Sequence, residues 1–414
     1  MLSIAIVAPV VGALAVALVI DLVVGEPPRR LHPVAWFGSA VGPFDREWSR
    51  PRLVGACVAV GLPGVAAIVA GSVLIGTAIG AAVVSGSGAV VAGGASDAGS
   101  AGVAVASVIA GVILSVTVSL RMLLGVTTDV VGHTAGDVDA ARTAVRALVG
   151  RETTDLSPAA LRSAAVESAA ENLADGFIAP LVGFVAGGVA GLVLVAVGWG
   201  GGGVGGVGVG TDGVGVGTDG VSIDLVSTSS GFWGMFGSLV PLALGVAGAV
   251  WIKAVNTLDS MLGYQSKPVG WASARLDDAV MYVPARLTAV CLAIAVGPVG
   301  FVDTLRRASR WARVPSSPNA GWPMATAAAA LDVRLEKPDR YVLNPAADLP
   351  TVTDAERAVR LIRLGGGVSV VVAAVTLLAA ATLLAAAEEV GWLATLIGGP
   401  VGPFVGSSLE VFTR

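Results

Sequence analysis

Residues 157–176 read SPAALRSAAVESAAENLADG and run on into FIAPLVGFVAGGVAGLVLVAVGWG at 177–200. Ser157 is a good N-cap and Pro158 a good first helical residue. The spacing predicts a helix that Gly176 ends. Glu167, Glu171 and Asp175 stand at i, i+4 and i+8, so they share one face. The apolar run that follows, Phe177 to Gly210, exceeds the ~20 residues a bilayer crossing needs. A helix that stacks acids on one face and then enters hydrocarbon decides the fold class: all-α, polytopic, with its polar chemistry at a membrane face. Stacked carboxylates repel one another unless a cation sits among them. A hard cation such as Mg2+, bound through oxygens and bridging substrate phosphates, resolves the repulsion. A solvated face partnered by Arg162 or Arg151 is the plainer alternative, but the face runs straight into a span, where solvation is incomplete.

Composition points the same way. Of 414 residues, 55% are hydrophobic and 13% charged, and mean hydropathy is +0.83. A soluble chain carries about 25% charged residues, so a soluble single-core enzyme is excluded. A net charge of −4 argues against nucleic acid as a partner, which would want a basic patch. Cys57 and Cys291 lie in apolar stretches and suggest neither a disulfide framework nor a metal knuckle. His32 and His133 are the only histidines, too few for a His-rich zinc or haem site.

Charge-free runs occur at Leu2–Ile20, Arg52–Asp97, Asp97–Arg121, Phe177–Gly210, Phe232–Ile252 and Leu364–Ala387. Leu2–Ile20 lacks the basic start and cleavage site of a signal peptide. Leu287–Val302 is short, and Val390–Val411 is broken by Pro400 and Pro403. About six to eight spans are expected within one membrane-embedded domain over 1–414. Lys and Arg set orientation. They number five in 21–52, five in 121–176, four in 253–286 and ten in 303–363, and the linkers around 76–100 and 199–231 hold none. The Arg-bearing segments are therefore expected to be cytoplasmic at a cell membrane, and the two linkers external. On this reading 76–100 is an outer loop between spans near 53–75 and 101–120, and 199–231 is a flexible Gly/Val-rich linker. The polar segment 303–363 stays cytoplasmic only if Leu287–Val302 is re-entrant or lies in the interface. The linker repeats VGVGTDG at 207–213 and 214–220, and 203–208 matches G-x-G-x-x-G. No strand precedes that match and no helix follows, so it is a low-complexity coincidence.

Three further polar segments carry chemistry. Asp21-Leu-Val-Val-Gly-Glu-Pro-Pro leads to His32-Pro-Val, where Pro27 and Pro28 stop a helix and Trp36 and Trp48 suit an interfacial belt. Lys253, Asn256 and Asp259 recur on one helical side at the end of a span. Beyond them lie Arg275, Asp277, Asp278 and Arg286. Arginine suits bidentate recognition of phosphate or carboxylate, and positive-inside anchoring is the bland reading of Arg286. Ser316-Ser-Pro-Asn-Ala-Gly-Trp makes a tight turn around Asn319. Its amides enter the helix at 324–331 and offer an anion cradle, against an ordinary turn and cap.

With these blocks in view, the chain resembles the CobD/CbiB family of cobalamin biosynthesis. The matching residues are Asp21…Gly25-Glu-Pro with His32-Pro-Val, Gly150-Arg-Glu-Thr, and Val166-Glu-Ser-Ala-Ala-Glu-Asn-Leu-Ala-Asp-Gly with Ala179-Pro. They continue with Asn256-Thr-Leu-Asp-Ser-Met-Leu-Gly-Tyr, Ala272-Ser-Ala-Arg-Leu-Asp-Asp with Pro284-Ala-Arg-Leu-Thr, and Ser317-Pro-Asn-Ala-Gly. Six blocks in the family's order make a specific signature. The resemblance implies a synthase that joins a propionate carboxylate of adenosylcobyric acid to 1-aminopropan-2-ol or its O-phosphate, with ATP and Mg2+ as driver. The corrinoid and the amino alcohol are then substrates, and membrane lipid is a partner. Residue chemistry at those positions assigns Glu167, Glu171, Asp175 and Asp278 to metal, and Glu167, Glu171, Asp259 and Asp277 to catalysis. It assigns Arg151, Arg275 and Arg286 to phosphate or corrinoid acid groups, and Asn172, Asn256, Asn319 and His32 to substrate hydrogen bonds. Glu152, Met281, Met324 and Glu336-Lys337 depart from the family's pattern and bear on the amine partner. A Mg2+-dependent membrane prenyltransferase would want paired Asp-rich motifs on two helices, and a corrinoid-related transporter would want polar residues in mid-span. Only the Glu167–Asp175 helix comes close to the first pattern, and the spans are nearly free of ionisable groups, which favours an enzyme at the interface over either alternative.

Overall fold

A computed structural model of the chain describes residues 2–92, 96–149, 153–197, 225–264 and 266–389. It is helical almost throughout. In order the helices are α1 (Leu2–Val23), α2 (Pro33–Val41), α3 (Pro51–Ala92), α4 (Ser96–Ser115), α5 (Leu120–His133), α6 (Val138–Val145) and α7 (Pro158–Leu173). They continue with α8 (Ala179–Ala196), α9 (Leu225–Leu262), α10 (Trp271–Val280), α11 (Tyr282–Val296), α12 (Pro298–Trp311), α13 (Gly321–Leu331) and α14 (Val352–Glu389). A two-stranded antiparallel hairpin, β1 (Leu335–Lys337) and β2 (Tyr341–Leu343), lies between α13 and α14. Six stretches are long and apolar enough to cross a membrane: Ile6–Val23, Pro51–Val84, Ser100–His133, Pro158–Ala196, Gly237–Leu262 and Val352–Ala387. The all-α, multi-pass expectation holds.

Several boundaries differ from expectation. Residues 76–100 do not form an outer loop: α3 continues to Ala92 and α4 begins at Ser96. Residues 76–92 carry neither charge nor proline, so nothing local stops the helix there. At 1.5 Å per residue, the 42 residues of α3 extend about 60 Å, well beyond a hydrocarbon core of about 30 Å. Within 199–231, α9 is already helical from Leu225, and 198–224 lies outside the described residues. Val390–Val411 and Arg151 also lie outside them. The last described helix starts at Val352, a full three turns before the apolar run at Leu364.

Gly176 does not end its helix. The chain passes from α7 through a widened π turn, Ala174–Ile178, directly into α8. The widened turn leaves the Gly176 carbonyl to accept from the Ser119 amide at 3.0 Å and the Ser119 hydroxyl at 3.2 Å. A Cβ on Gly176 would sit 2.9 Å from that hydroxyl, so glycine serves the approach of the α4–α5 junction. Π turns inside α-helices are frequent at functional sites.

The antiparallel pair α8 and α9 fixes the register of the site. A Cβ on Gly183 would fall 2.5 Å from the Gly248 carbonyl, one on Gly187 2.0 Å from the Leu244 carbonyl, and one on Gly191 2.5 Å from Pro241 Cα. Small residues let the two backbones touch. Each step of four along α8 is matched by nearly four backwards along α9. One more step brings Ala179 to Ile252, which pack together. The next brings Asp175 level with Asn256.

The N-terminal span is tied in through Asp21, which is 2% exposed. Its Oδ2 accepts from the Arg121 amide at 3.2 Å, and the Arg121 guanidinium donates to the Leu22 and Val23 carbonyls. One Asp21 oxygen is thus served at the end of its span, while Oδ1 is buried without a hydrogen-bond partner.

Candidate functional site

Four pieces of chain meet at the junction of α7 and α8: the π turn, the last turns of α9, α10, and the segment that follows α1. The register described above sets Asp175 among charged side chains of α9 and α10, where it interacts electrostatically with Glu171, Asp277, Lys253 and Asp259. Asn256 Nδ2 donates toward Asp277 Oδ1 at 3.5 Å, a long contact. Asp259 feels the charge of Asp278, and Arg275 attracts the Asp278 carboxylate. Lys253 stands between Glu26 and Asp175 and feels both charges. One Asp259 oxygen, Oδ1, is buried without a hydrogen-bond partner.

Glu26 belongs to the same group through Lys253 and His32. Burial pushes its carboxyl up from the ordinary glutamate range, against the pull of His32 and Lys253. The His32 ring caps α2: its Nδ1 accepts from the Val34 amide at 3.2 Å. Neutral His32 therefore carries its proton on Nε2, which lies 3.7 Å from Glu26 Oε2. That nitrogen is a donor, suited to hold an anionic oxygen.

The three acids expected to share one metal are served by three different elements. Glu167 accepts from the Tyr341 hydroxyl of β2 at 2.8 Å. Glu171 interacts with Lys337 of β1, and Asp175 with Lys253 of α9. The hairpin is seated by Leu335 and Leu343, both fully buried, and by the Glu336 amide donating to Ser163 Oγ at 2.9 Å. It covers the acidic side of α7. Sequence reasoning missed Tyr341 and Lys337, because nothing local marks a three-residue strand as lying against a helix some 170 positions away. The one signal was Glu336-Lys337 itself, a charged pair where the family pattern differs.

Among the described residues, no three His, Cys, Asp or Glu side chains stand together as a ligand set for one ion. The donor chemistry still fits magnesium, which takes one or two carboxylates and completes its shell with water and substrate phosphate. The orphaned Asp259 Oδ1, with Asp277 beside it, supplies such a pair. The α9–α10 acids thus stand as a candidate pair beside the α7 acids, whose charges still act on one another from Glu167 to Glu171 and from Glu171 to Asp175.

The remaining residues divide. Arg286 lies over the Tyr282 ring at 3.5 Å and 5.5 Å from the Trp322 ring. It donates to Asn319 Oδ1 at 2.7 Å and to the Pro318 carbonyl at 3.2 Å. Asn319 in turn donates to the Asp278 carbonyl at 2.7 Å. These contacts clamp the 316–322 turn onto α10, close behind the acids. The turn's own amides are already used, since Ser317 Oγ accepts from the Asn319 and Ala320 amides at 3.2 Å. That is an ordinary turn and cap rather than an open cradle. Asn172 is drawn away: its Nδ2 donates to the carbonyl and hydroxyl of Ser168, and Ser168 donates to the Leu148 carbonyl. Arg162 donates to the Pro350 carbonyl at 2.7 Å and does not partner the acid stack.

Comparison with known proteins agrees with the resemblance. The CobD/Cbib protein family model matches residues 14–197 and 227–371, and its break falls on the Gly/Val-rich linker. A probable cobalamin biosynthesis protein CobD of Methanothrix thermoacetophila is 33% identical over 355 residues, covering 85% of this chain and 92% of its own length. The cobalamin biosynthesis protein CobD of Rhodobacter capsulatus is 30% identical, covering 87% and 96%. That of Mycobacterium tuberculosis is 32% identical, covering 86% and 91%. No solved structure matches the chain. With both segments of the family model spanning the site and relatives aligned over nearly their full lengths, the chain belongs to the CobD/CbiB family of cobalamin biosynthesis proteins.

Proposed function

We propose that this protein forms the amide bond between a propionate carboxylate of adenosylcobyric acid and 1-aminopropan-2-ol or its O-phosphate. ATP and Mg2+ would drive the reaction. The observation that carries this reading is the convergence of Asp175, Asp259 and Asp277 with Lys253 and Asn256, from three separate elements, at the end of the membrane spans.

A carboxylate is a poor acceptor for an amine until one oxygen becomes a leaving group. Phosphoryl transfer to that oxygen is largely a matter of positioning and charge neutralisation. Asp259 and Asp277 would hold the magnesium, which when bound neutralises phosphate charge. Lys253 and the His32 Nε2–H are cation and donor for anionic oxygens of the substrates. Arg275 offers a second cation beside Asp278. Arg286 and Asn319 act one step back, holding α10 against the 316–322 turn so that Asp277 and Asp278 keep their places. Asp175, in the same group and outside that magnesium pair, would accept the proton that the attacking amine must lose.

The test is to incubate membranes containing the protein with adenosylcobyric acid, Mg2+-ATP and either amine, and to follow corrinoid mass. A gain equal to one condensation supports the reading, and the preferred amine identifies the substrate. No gain with either amine, from folded protein, overturns it.

A further inference from the structure

α10 and α11 are together apolar and long enough to make a seventh crossing, with a bend of 43° between them. The contacts of α11 speak against a crossing. At its start, Met281 packs with Ala174, Ala179 and Ile252. Near its end, Leu292 closes on Gly365 of α14, its Cδ2 2.8 Å from where a Cβ would stand, and Leu173 closes on the same glycine at 3.6 Å. The eleven residues from Met281 to Leu292 cover about 16 Å of helix, whereas Leu173 to Ala179 spans only about 9 Å along its own axis. Both ends of α11 thus meet one short stretch of the α7–α8 rod, so α11 lies across that rod rather than along it. The rod is a membrane span, and a helix lying across a span runs in the membrane plane.

The outer surface of this helix is apolar. Val283 and Ile294 are exposed, and with the half-buried Leu287 and Val290 they form one helical stripe. Gly297, at φ 104°, turns the chain into α12. At this corner Val299 is 98% exposed and Val302 57%. The opposite side of α12 is satisfied, with Ala308 and Ala312 packed on Ala325 and Ala329 of α13. Further along the same face of α12 and just past its end, Asp303 and then Arg306, Arg310 and Arg313 are exposed, three cations to one acid. Leu364 and Val371 of α14 continue the exposed apolar surface from the level of Leu292.

We propose that α11 lies in the membrane plane, that α12 rises from its end toward the headgroups, and that the partner of both is the lipid bilayer itself. The stripe Val283–Leu287–Val290–Ile294 and the Val299/Val302 corner rest on acyl chains. Arg306, Arg310 and Arg313 pair with lipid phosphates. The layout is that of an interfacial amphipathic element, apolar below and basic at headgroup level. It follows that α11 does not cross. Residues 303–363, with ten of the chain's 25 cations, then stay on the same side as Asp277. This inference does not depend on the reaction proposed above.

The test uses the full chain in sealed vesicles, with the exposed Cys57 replaced by Ser and the buried Cys291 by Ala. Single cysteines are placed by Arg310→Cys and, as a same-side reference, Glu47→Cys in the loop before α3. An impermeant maleimide should label both from the same side. Labelling of Arg310→Cys from the opposite side overturns the proposal. A spin label at Val299→Cys should relax strongly with oxygen and weakly with a water-soluble nickel chelate. Nickel relaxation as strong as at Glu47→Cys means the corner lies in water, and that also overturns it.

Discussion

The hydroxyl of Tyr341 donates to Oε1 of Glu167 at 2.8 Å across 174 positions of sequence. Glu167 is only 5% exposed, on a helix that continues into the bilayer, and the phenol supports its carboxylate there. Tyr341→Phe removes the donor and keeps the ring. Losing one partner of a buried polar pair costs about 1–3 kcal/mol. The thermal midpoint in detergent should fall, and turnover should fall with it. An unchanged midpoint and unchanged turnover would show that the hairpin only covers the helix.

Glu167→Ala or Glu171→Ala should lower turnover without changing the Mg2+ requirement, since Tyr341 and Lys337 serve those acids, while the protein still inserts into membranes. Asp259→Asn and Asp277→Asn should instead leave residual turnover that needs more Mg2+, because the neutral amide is a poorer ligand for a hard cation. Titrating Mg2+ against initial rate separates the two groups. If the Glu variants show the shifted Mg2+ requirement and the Asp variants do not, the metal belongs on the α7 stack.

The α8–α9 crossing should be unforgiving. A Cβ on Gly248 would fall 2.2 Å from the Gly183 carbonyl, whereas Gly64 of α3 has open space. Gly248→Ala forces the backbones apart at a cost of about 1–3 kcal/mol or more. It also shifts the register that sets Asp175 beside Asn256. Gly64→Ala should be neutral or slightly stabilising. Melting curves and product yield of the two variants make the comparison.

Glu26 predicts a pH dependence. Its folded pKa is raised above the ordinary 4.5 by burial. A raised acid favours folding only while protonated, so its contribution is complete below about pH 4.5 and is lost as pH rises through the folded value. Glu26→Gln keeps the shape and removes the charge. It should therefore be more stable than the parent at pH 7, with the difference disappearing toward pH 4. A difference that grows as pH falls would contradict the burial argument.

Much of this protein is legible without coordinates. Apolar runs longer than a bilayer is thick, with arginines gathered between them, dictate a multi-pass helical protein, because an unpaired backbone cannot enter hydrocarbon. Four-residue spacing puts Glu167, Glu171 and Asp175 on one face. The ordered polar blocks carry the family. Local spacing, however, says which face a residue occupies and not what lies opposite. Gly176 read as a stop, and the contact with Ser119 that turns it into a π turn involves a residue 57 positions earlier. The acid stack keeps its own neighbours, Glu167 with Glu171 and Glu171 with Asp175, and tertiary packing adds Tyr341, Lys337 and Lys253, which spacing could not show. What the sequence determined by itself is the membrane architecture and the inventory of charged groups, since both follow from short-range periodicity and the cost of burying charge. What only the tertiary structure decided is which charges meet. That depends on backbone-to-backbone approach at Gly183 and Gly248 and on a hairpin folded back over α7, contacts between segments that lie far apart along the chain.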